Sequence, residues 1–293
     1  MHPAPSVIVF TVLSGLGFGF LAYLGAGLVV PPAGWAAFLV WGLGYGFAVV
    51  GLLASVFHLG NPKNAIRAFS QWRTSWLSRE GIFSVLTLLI LAPVALFEIF
   101  GGFPLATLGW PGALLALVTV FCTSMIYAQL KTVPRWNQWL TPVMFMTFAL
   151  TGGAILSGFN VLSILLCVVL TAVLVAIFNV GDKRLADSGS TMETATGLGK
   201  IGKVRLYEGP HTGTNYLMDE MIYVVGRRHA QKLRVIAVAF AAILPALVML
   251  IAPEGSLFGI ALALIFHLTG AAAARWLFFA EAEHVVGLYY GAR

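Results

Sequence analysis

Charge is what this sequence has least of. Its 293 residues include 17 Lys plus Arg and 11 Asp plus Glu, or 10% charged, where a soluble domain carries roughly a quarter. That shortage excludes a soluble enzyme, which must present a polar surface to water. Cysteine is almost as scarce. Cys122 and Cys167 each stand alone in an apolar block, which excludes a disulfide framework and a metal-spacing motif. An iron-sulfur cluster takes four thiolates as a rule, so this chain cannot supply the usual ligation, and any redox centres it serves belong to other polypeptides. The first 62 positions contain no Lys or Arg. The first apolar block therefore lacks the basic flank of a secretion signal and reads as a retained helix. No internal repeat and no matched pair of Gly/Pro-interrupted helices is evident, which weakens a secondary-transporter reading.

What is abundant is apolar sequence, 59% of residues, with a mean hydropathy of +0.92. It falls into eight runs at 6–30, 34–57, 82–100, 112–130, 142–158, 161–180, 235–252 and 257–280. Runs of roughly 17 to 25 residues can span the hydrocarbon of a bilayer. The expected fold is an all-α integral membrane protein, a bundle of eight transmembrane helices forming one domain over 1–293. Only Phe159 and Asn160 separate the fifth and sixth runs, so one of these could be a broken or re-entrant segment.

Eight spans put both termini and the second, fourth and sixth loops on one face. All basic residues but Arg275 lie on that face, and the positive-inside rule makes it cytoplasmic. It also holds the two long loops, 58–81 and 181–234, the expected docking surface for a partner. The stretch 186–199, rich in Ser, Thr and Gly, reads as a flexible linker.

Several residues in this frame can carry chemistry. His58, followed by Gly60, Asn61, Pro62 and Lys63, places an imidazole where the second run leaves the membrane. There it can exchange protons near neutral pH and hydrogen-bond a carbonyl oxygen of a lipid-soluble ligand. The same residues also make a good helix stop. Arg67, Arg73 and Arg79 with Trp72 and Trp76 read first as an interfacial amphipathic segment, and otherwise as a docking surface. His267 falls near the bilayer centre and Arg275 eight residues nearer the cytoplasm; the first suits an interhelical hydrogen bond or a functional role, the second snorkelling or a functional role. Glu98 is expected to reach outer interfacial water. Haem b needs two facing axial ligands, usually His, and is disfavoured because only His267 is well inside a span.

The run His58-Leu59-Gly60-Asn61-Pro62, then Arg67, Ser78 and Glu80, together with Asn215-Tyr216-Leu217, Glu220-Met221 and Arg228-His229, resembles the membrane anchor (DmsC-like) subunits of dimethyl sulfoxide reductase-type molybdoenzymes. The eight-run layout fits as well. The resemblance implies a multi-pass subunit of the bacterial inner membrane without an iron-sulfur cluster of its own. It would hold an iron-sulfur electron-transfer subunit and a molybdopterin catalytic subunit to the membrane, surrounded by lipid and with no nucleic acid partner. Electrons would pass between the partner's nearest cluster and a quinone, ubiquinone or menaquinone. His58, Gly60 and Arg67 match positions implicated at the family's quinol site. Proton transfer or support would come from Glu80, Arg275 and His267, with Arg67 or Arg275 offsetting the charge of the reduced ligand.

The family divides by orientation. The dimethyl sulfoxide reductases hold their catalytic subunits in the periplasm, and the related sulfite dehydrogenase holds them in the cytoplasm. Loop cations on the His58 face favour the second plan, a sulfite:quinone oxidoreductase. The alternatives are a quinol-oxidising anchor of a dimethyl sulfoxide or N-oxide reductase, a purely structural anchor, and a secondary transporter using His267 and Arg275 around a midplane site.

Overall fold

The computed structural model describes residues 1–57, 62–101, 105–209, 213, 215–222 and 229–290. Long apolar helices dominate, and no strand occurs among the described residues. In chain order they are α1 (Pro5–Gly25), α2 (Trp35–Val56), α3 (Trp76–Ile99), α4 (Ala106–Ala128), α5 (Leu140–Leu156), α6 (Asn160–Asp187), α7 (Ala230–Ile251) and α8 (Leu257–Ala280). Seven of them are long and apolar enough to cross a membrane; α5, with 17 residues, is the shorter apolar helix.

α5 is interior. Twelve of its 17 residues are buried, and it packs on α1, α4, α6 and α8. α1 has the largest buried share of the long helices and touches α2, α4, α5 and α8. Lipid offers little hydrophobic drive for helix association, so such contacts depend on close backbone approach and interhelical hydrogen bonds. At Gly19 a β-carbon would overlap the Ala149 carbonyl, and one on Gly153 would come within 2.8 Å of the Gly19 backbone. Gly19→Val should therefore force α1 from α5 and cost at least the 1–3 kcal/mol typical of overpacking, about that or more because backbone must move. The expected result is a sharply lowered melting temperature in detergent. Gly15→Ala, one turn earlier, where a methyl meets nothing within 4 Å, should leave it unchanged.

α7 carries a π-helical stretch at Ala239–Ile243, the kind of irregularity that redirects backbone carbonyls. His267 of α8 uses it: its Nδ1 donates to the Ala241 carbonyl at 2.7 Å. Gly270 allows the approach, since any β-carbon there would strike the Ala241 backbone.

Both chain ends and the long connections meet at one end of the bundle. The Met1 amino group donates to the Ala282 carbonyl (2.7 Å), the His2 amide to that of Glu220 (2.7 Å), and the Val285 amide to that of Thr132 (2.9 Å). The opposite end holds short turns, including that between α5 and α6 at Gly158, φ +72°.

Several helix boundaries differ from those expected. α3 begins at Trp76, with Ser75 as its N-cap accepting from the Ser78 amide, so Arg79 and Glu80 are helical. α6 continues to Asp187 and α7 begins at Ala230, which draws Asp182 and Arg234 out of the long connection. The stretch read as a flexible linker is ordered. It contains the end of α6 and a short helix, Met192–Thr196, with a Thr191–Thr194 capping box.

Candidate functional site

At the end where the termini meet, a cavity of about 380 Å3 opens between α1, the ends of α2 and α4, the start of α3 and the end of α8. Val7 and Phe10, Ser55, Leu77, Ile126 and Tyr127, and Phe279 form its walls, Trp136 closes one side, and the helix Tyr216–Met221 supplies Tyr216, Glu220 and Met221. Met1 and His2 complete the rim. The volume lies in the roughly 300–1,000 Å3 range of small-molecule pockets, and apolar walls with few polar groups are the usual lining.

One wall is rigid. Tyr127 packs edge-on to Trp136 (5.3 Å), Phe278 (5.4 Å) and Phe279 (5.6 Å), and stacks on Phe145 (5.7 Å). Trp136 fixes the cluster by donating its indole N–H to the Phe278 carbonyl (2.7 Å).

Two charged side chains lie one turn deeper. Residues three or four apart on a helix share a face, so Glu80 sits below Leu77, Thr123 below Ile126 and Tyr127, and Arg275 below Phe279. Glu80 is buried and shares the single Thr123 hydroxyl proton with the Thr119 carbonyl (3.1 Å). Arg275 is 2% exposed. Its guanidinium stacks 3.5 Å from the Phe145 ring centre and 5.2 Å from that of Phe148. One nitrogen, Nη1, has no hydrogen-bond partner among the described residues.

Arg275 thus points inward at the α5 rings, and the snorkelling expectation is not met. Glu98 also differs from expectation. It is 3% exposed and accepts the Trp41 indole N–H at 2.9 Å, so that α2 and α3 are tied by a buried pair.

His267 and Arg275 border a second, small space of about 10 Å3 with Thr11, Gly15 and Phe148. That is close to the least volume that holds one water molecule.

His58 and Gly60 lie outside the described residues. Arg67 belongs to the 3₁₀ segment Pro62–Gln71, which folds back on the start of α3: the Gln71 amide donates to Ser78 Oγ (3.1 Å) and that hydroxyl to the Ala68 carbonyl. Arg67 is exposed and is not among the residues lining the cavity. Arg79 stacks on Trp76 at 4.3 Å and donates to the carbonyls of Trp72 (2.9 Å) and Arg73 (2.6 Å), the geometry of an interfacial segment.

Sequence reasoning missed the aromatic wall of Tyr127 and Trp136. It also missed a ring of alternating charges beside it. Arg135 pairs with Asp182 (2.9 Å) and Glu281 (2.5 Å), and Arg234 with the same two carboxylates (2.5 and 2.8 Å). The ring joins the α4–α5 connection to α6, α7 and α8. Its sequence signal is slight: Asp182 stands beside Lys183 and Arg184, and Glu281 ends an apolar run. Among the described residues, no three His, Cys, Asp or Glu side chains gather as a metal site.

Comparison with known proteins bears on what this end serves. The family described as DMSO reductase anchor subunit (DmsC) matches residues 2–291. The chain is 31% identical to the C-subunit of the sulfite dehydrogenase of Allochromatium vinosum, over 99% of both chains. It is 27% identical to the anaerobic dimethyl sulfoxide reductase chain YnfH of Escherichia coli K12, over 52% of this chain and 55% of that one. No solved structure matches it. A family match from one end of the chain to the other, on a bundle of long apolar helices, establishes that the chain belongs to the DMSO reductase anchor subunit family and is a multi-pass membrane protein.

Proposed function

We propose that this chain is the membrane anchor and quinone-reactive subunit of a three-subunit molybdopterin oxidoreductase of the bacterial inner membrane. It crosses the bilayer eight times, α5 included, with both termini cytoplasmic. Its catalytic partners face the cytoplasm and the complex works as a sulfite:quinone oxidoreductase. The observation that carries this reading is the 380 Å3 cavity at the end bearing the loop cations, with apolar walls, Tyr127 in its lining and a buried carboxyl one turn below. Orientation by the positive-inside rule and full-length similarity to the C-subunit of a sulfite dehydrogenase favour sulfite over the reductase alternative, which draws on the shorter match to YnfH.

A quinone would supply two-electron, two-proton chemistry when bound. What supports such a ligand is a lining that includes Phe10, Tyr127, Trp136 and Phe279 and a volume in the range of small-molecule pockets. His58 and Tyr127 would donate hydrogen bonds to ring carbonyl oxygens. Glu80 would exchange protons at its carboxyl through the Thr123 hydroxyl. Arg275 would supply fixed positive charge from below, and Arg67, exposed and outside the cavity lining, would contribute its charge from the protein surface. His267, committed to the Ala241 carbonyl, supports helix packing.

The test is purification in mild detergent through a tag on this chain, with mass spectrometry of the companions and analysis for Mo and Fe. Molybdenum together with two further subunits is the expected result. A lone chain without either metal, under detergent shown to preserve comparable complexes, overturns the proposal.

A further inference from the structure

α6 is the longest helix, with 28 residues. At about 1.5 Å per residue it extends about 42 Å, against a hydrocarbon thickness of roughly 30 Å. Its last turns therefore lift the segment that follows clear of lipid, beyond the charge ring at Asp182. That segment is built. The capping box of Thr191 and Thr194 starts the helix Met192–Thr196 and Gly197, φ +70°, ends it. The Val204 amide then returns to Glu193 Oε1 at 3.3 Å, closing a compact projection. The Tyr289 hydroxyl pins it through the Ala195 carbonyl (2.5 Å).

The outer surface of this projection is unusual for one standing in water. Ile201 is 85% and Tyr207 93% exposed, with Leu198 and Leu206 also exposed. Lys200, Lys203 and Arg205 alternate with them and are exposed too. Large apolar side chains held in a fixed loop and interleaved with charge of one sign mark an interaction surface. The cations select an acidic partner and the apolar tips supply desolvated contacts.

We infer that the projection at residues 198–207 is the docking surface for an acidic face of the electron-transfer subunit, and that it sets that subunit beside the cavity. The inference rests on the proposed anchor function. The route to the cavity is short: next to Tyr289, the Tyr290 hydroxyl accepts from Asn215 Nδ2 (3.3 Å), and Asn215 caps the helix Tyr216–Met221 that lines the cavity. A subunit seated on the projection is thus held next to the cavity's own wall.

The experiment places a photoreactive phenylalanine at Ile201 or Tyr207 in the full complex, with Phe258 at the opposite end as control. Illumination should join the first two positions to the electron-transfer subunit, identified by mass spectrometry, and leave Phe258 joined to lipid alone. In parallel, Lys200→Glu/Lys203→Glu/Arg205→Glu should cut retention of both partner subunits during a moderate-salt wash about tenfold, with the amount of anchor in the membrane unchanged. Adducts with lipid alone at Ile201 and Tyr207 would make the projection a membrane contact and overturn the inference. Full retention of partners by the triple variant, without adducts, overturns it while leaving the anchor function standing. If the unaltered chain retains no partner subunits, both fall.

Discussion

In the assembled complex, His58→Ala should lower quinone-linked turnover by about 100-fold or more, the contribution typical of a positioned acid-base group, while turnover with a soluble electron carrier that bypasses the membrane stays as it was. The expectation has two sources. The residues from His58 to Pro62 carry the resemblance to the anchor family, and the chain belongs to that family from residue 2 to 291. Ser55, three residues before His58 in sequence, lines the cavity. Imidazole is the side chain whose ordinary pKa permits both donation and acceptance of a proton near pH 7. His58→Gln, which keeps a donor but cannot titrate, should retain affinity for a quinone analogue better than alanine does and still turn over slowly. Unchanged turnover of His58→Ala with a quinone analogue would remove His58 from the site.

Arg275→Met should separate stability from function. A cation deep in a span costs about 2.5–3.5 kcal/mol on insertion scales, and Arg275 has no ion pair among the described residues to offset it. Its stacking on Phe145 and Phe148, away from water, returns about 2 kcal/mol or more and offsets much of that cost. Methionine has a similar shape, retains contact with the rings and leaves no orphaned Nη1, so the melting temperature should hold or rise, as it often does when a buried charge is replaced by an apolar side chain. Quinone-linked turnover should nevertheless fall about tenfold or more, equivalent to about 1.4 kcal/mol, because positive charge below the cavity is lost. Arg275→Lys should recover part of it. A destabilised variant with normal turnover would assign Arg275 to packing alone.

The membrane class and most helix positions were legible in the sequence because the cost of polar groups in lipid forces long apolar runs. Helix ends were legible only where charge marks an interface. Arg79 and Glu80 look like loop residues beside an apolar run, yet both are inside α3, which starts at the Ser75 cap, and the partner that lets Glu80 be buried there, the Thr123 hydroxyl, is 43 positions away. Asp182 likewise looks like a boundary until Arg135 and Arg234 close around it. Glu98 was misplaced for the same reason, since nothing near it in sequence announces the Trp41 indole. The cavity was hidden more deeply. Its lining runs from Met1 to Phe279, and Tyr127 and Trp136 resemble ordinary interfacial aromatics until the fold brings them onto Phe278 and Phe279. The ordered projection after α6 was missed because Ser, Thr and Gly are as suited to caps and turns as to flexible linkers, and only the Thr191–Thr194 pairing and the Tyr289 contact tell them apart.

The position of α1 at the centre of the bundle bears on how the protein is made. This helix enters the membrane before its neighbours, yet two of the helices that bury it, α5 and α8, are translated much later. Until α5 arrives the face bearing Gly19, and until α8 arrives the face bearing Thr11 and Gly15, is open to lipid or to other nascent helices, with α2 as an early companion. Closure of the bundle, the joining of Met1 to Ala282 and the completion of the cavity must then follow synthesis of nearly the whole chain. Such sequence-distant pairing slows folding and leaves a partly assembled species exposed in the meantime. Truncation within α8 should therefore leave a chain that inserts but is recognised by membrane proteases, and partner subunits recruited through the cavity end would encounter only finished anchors.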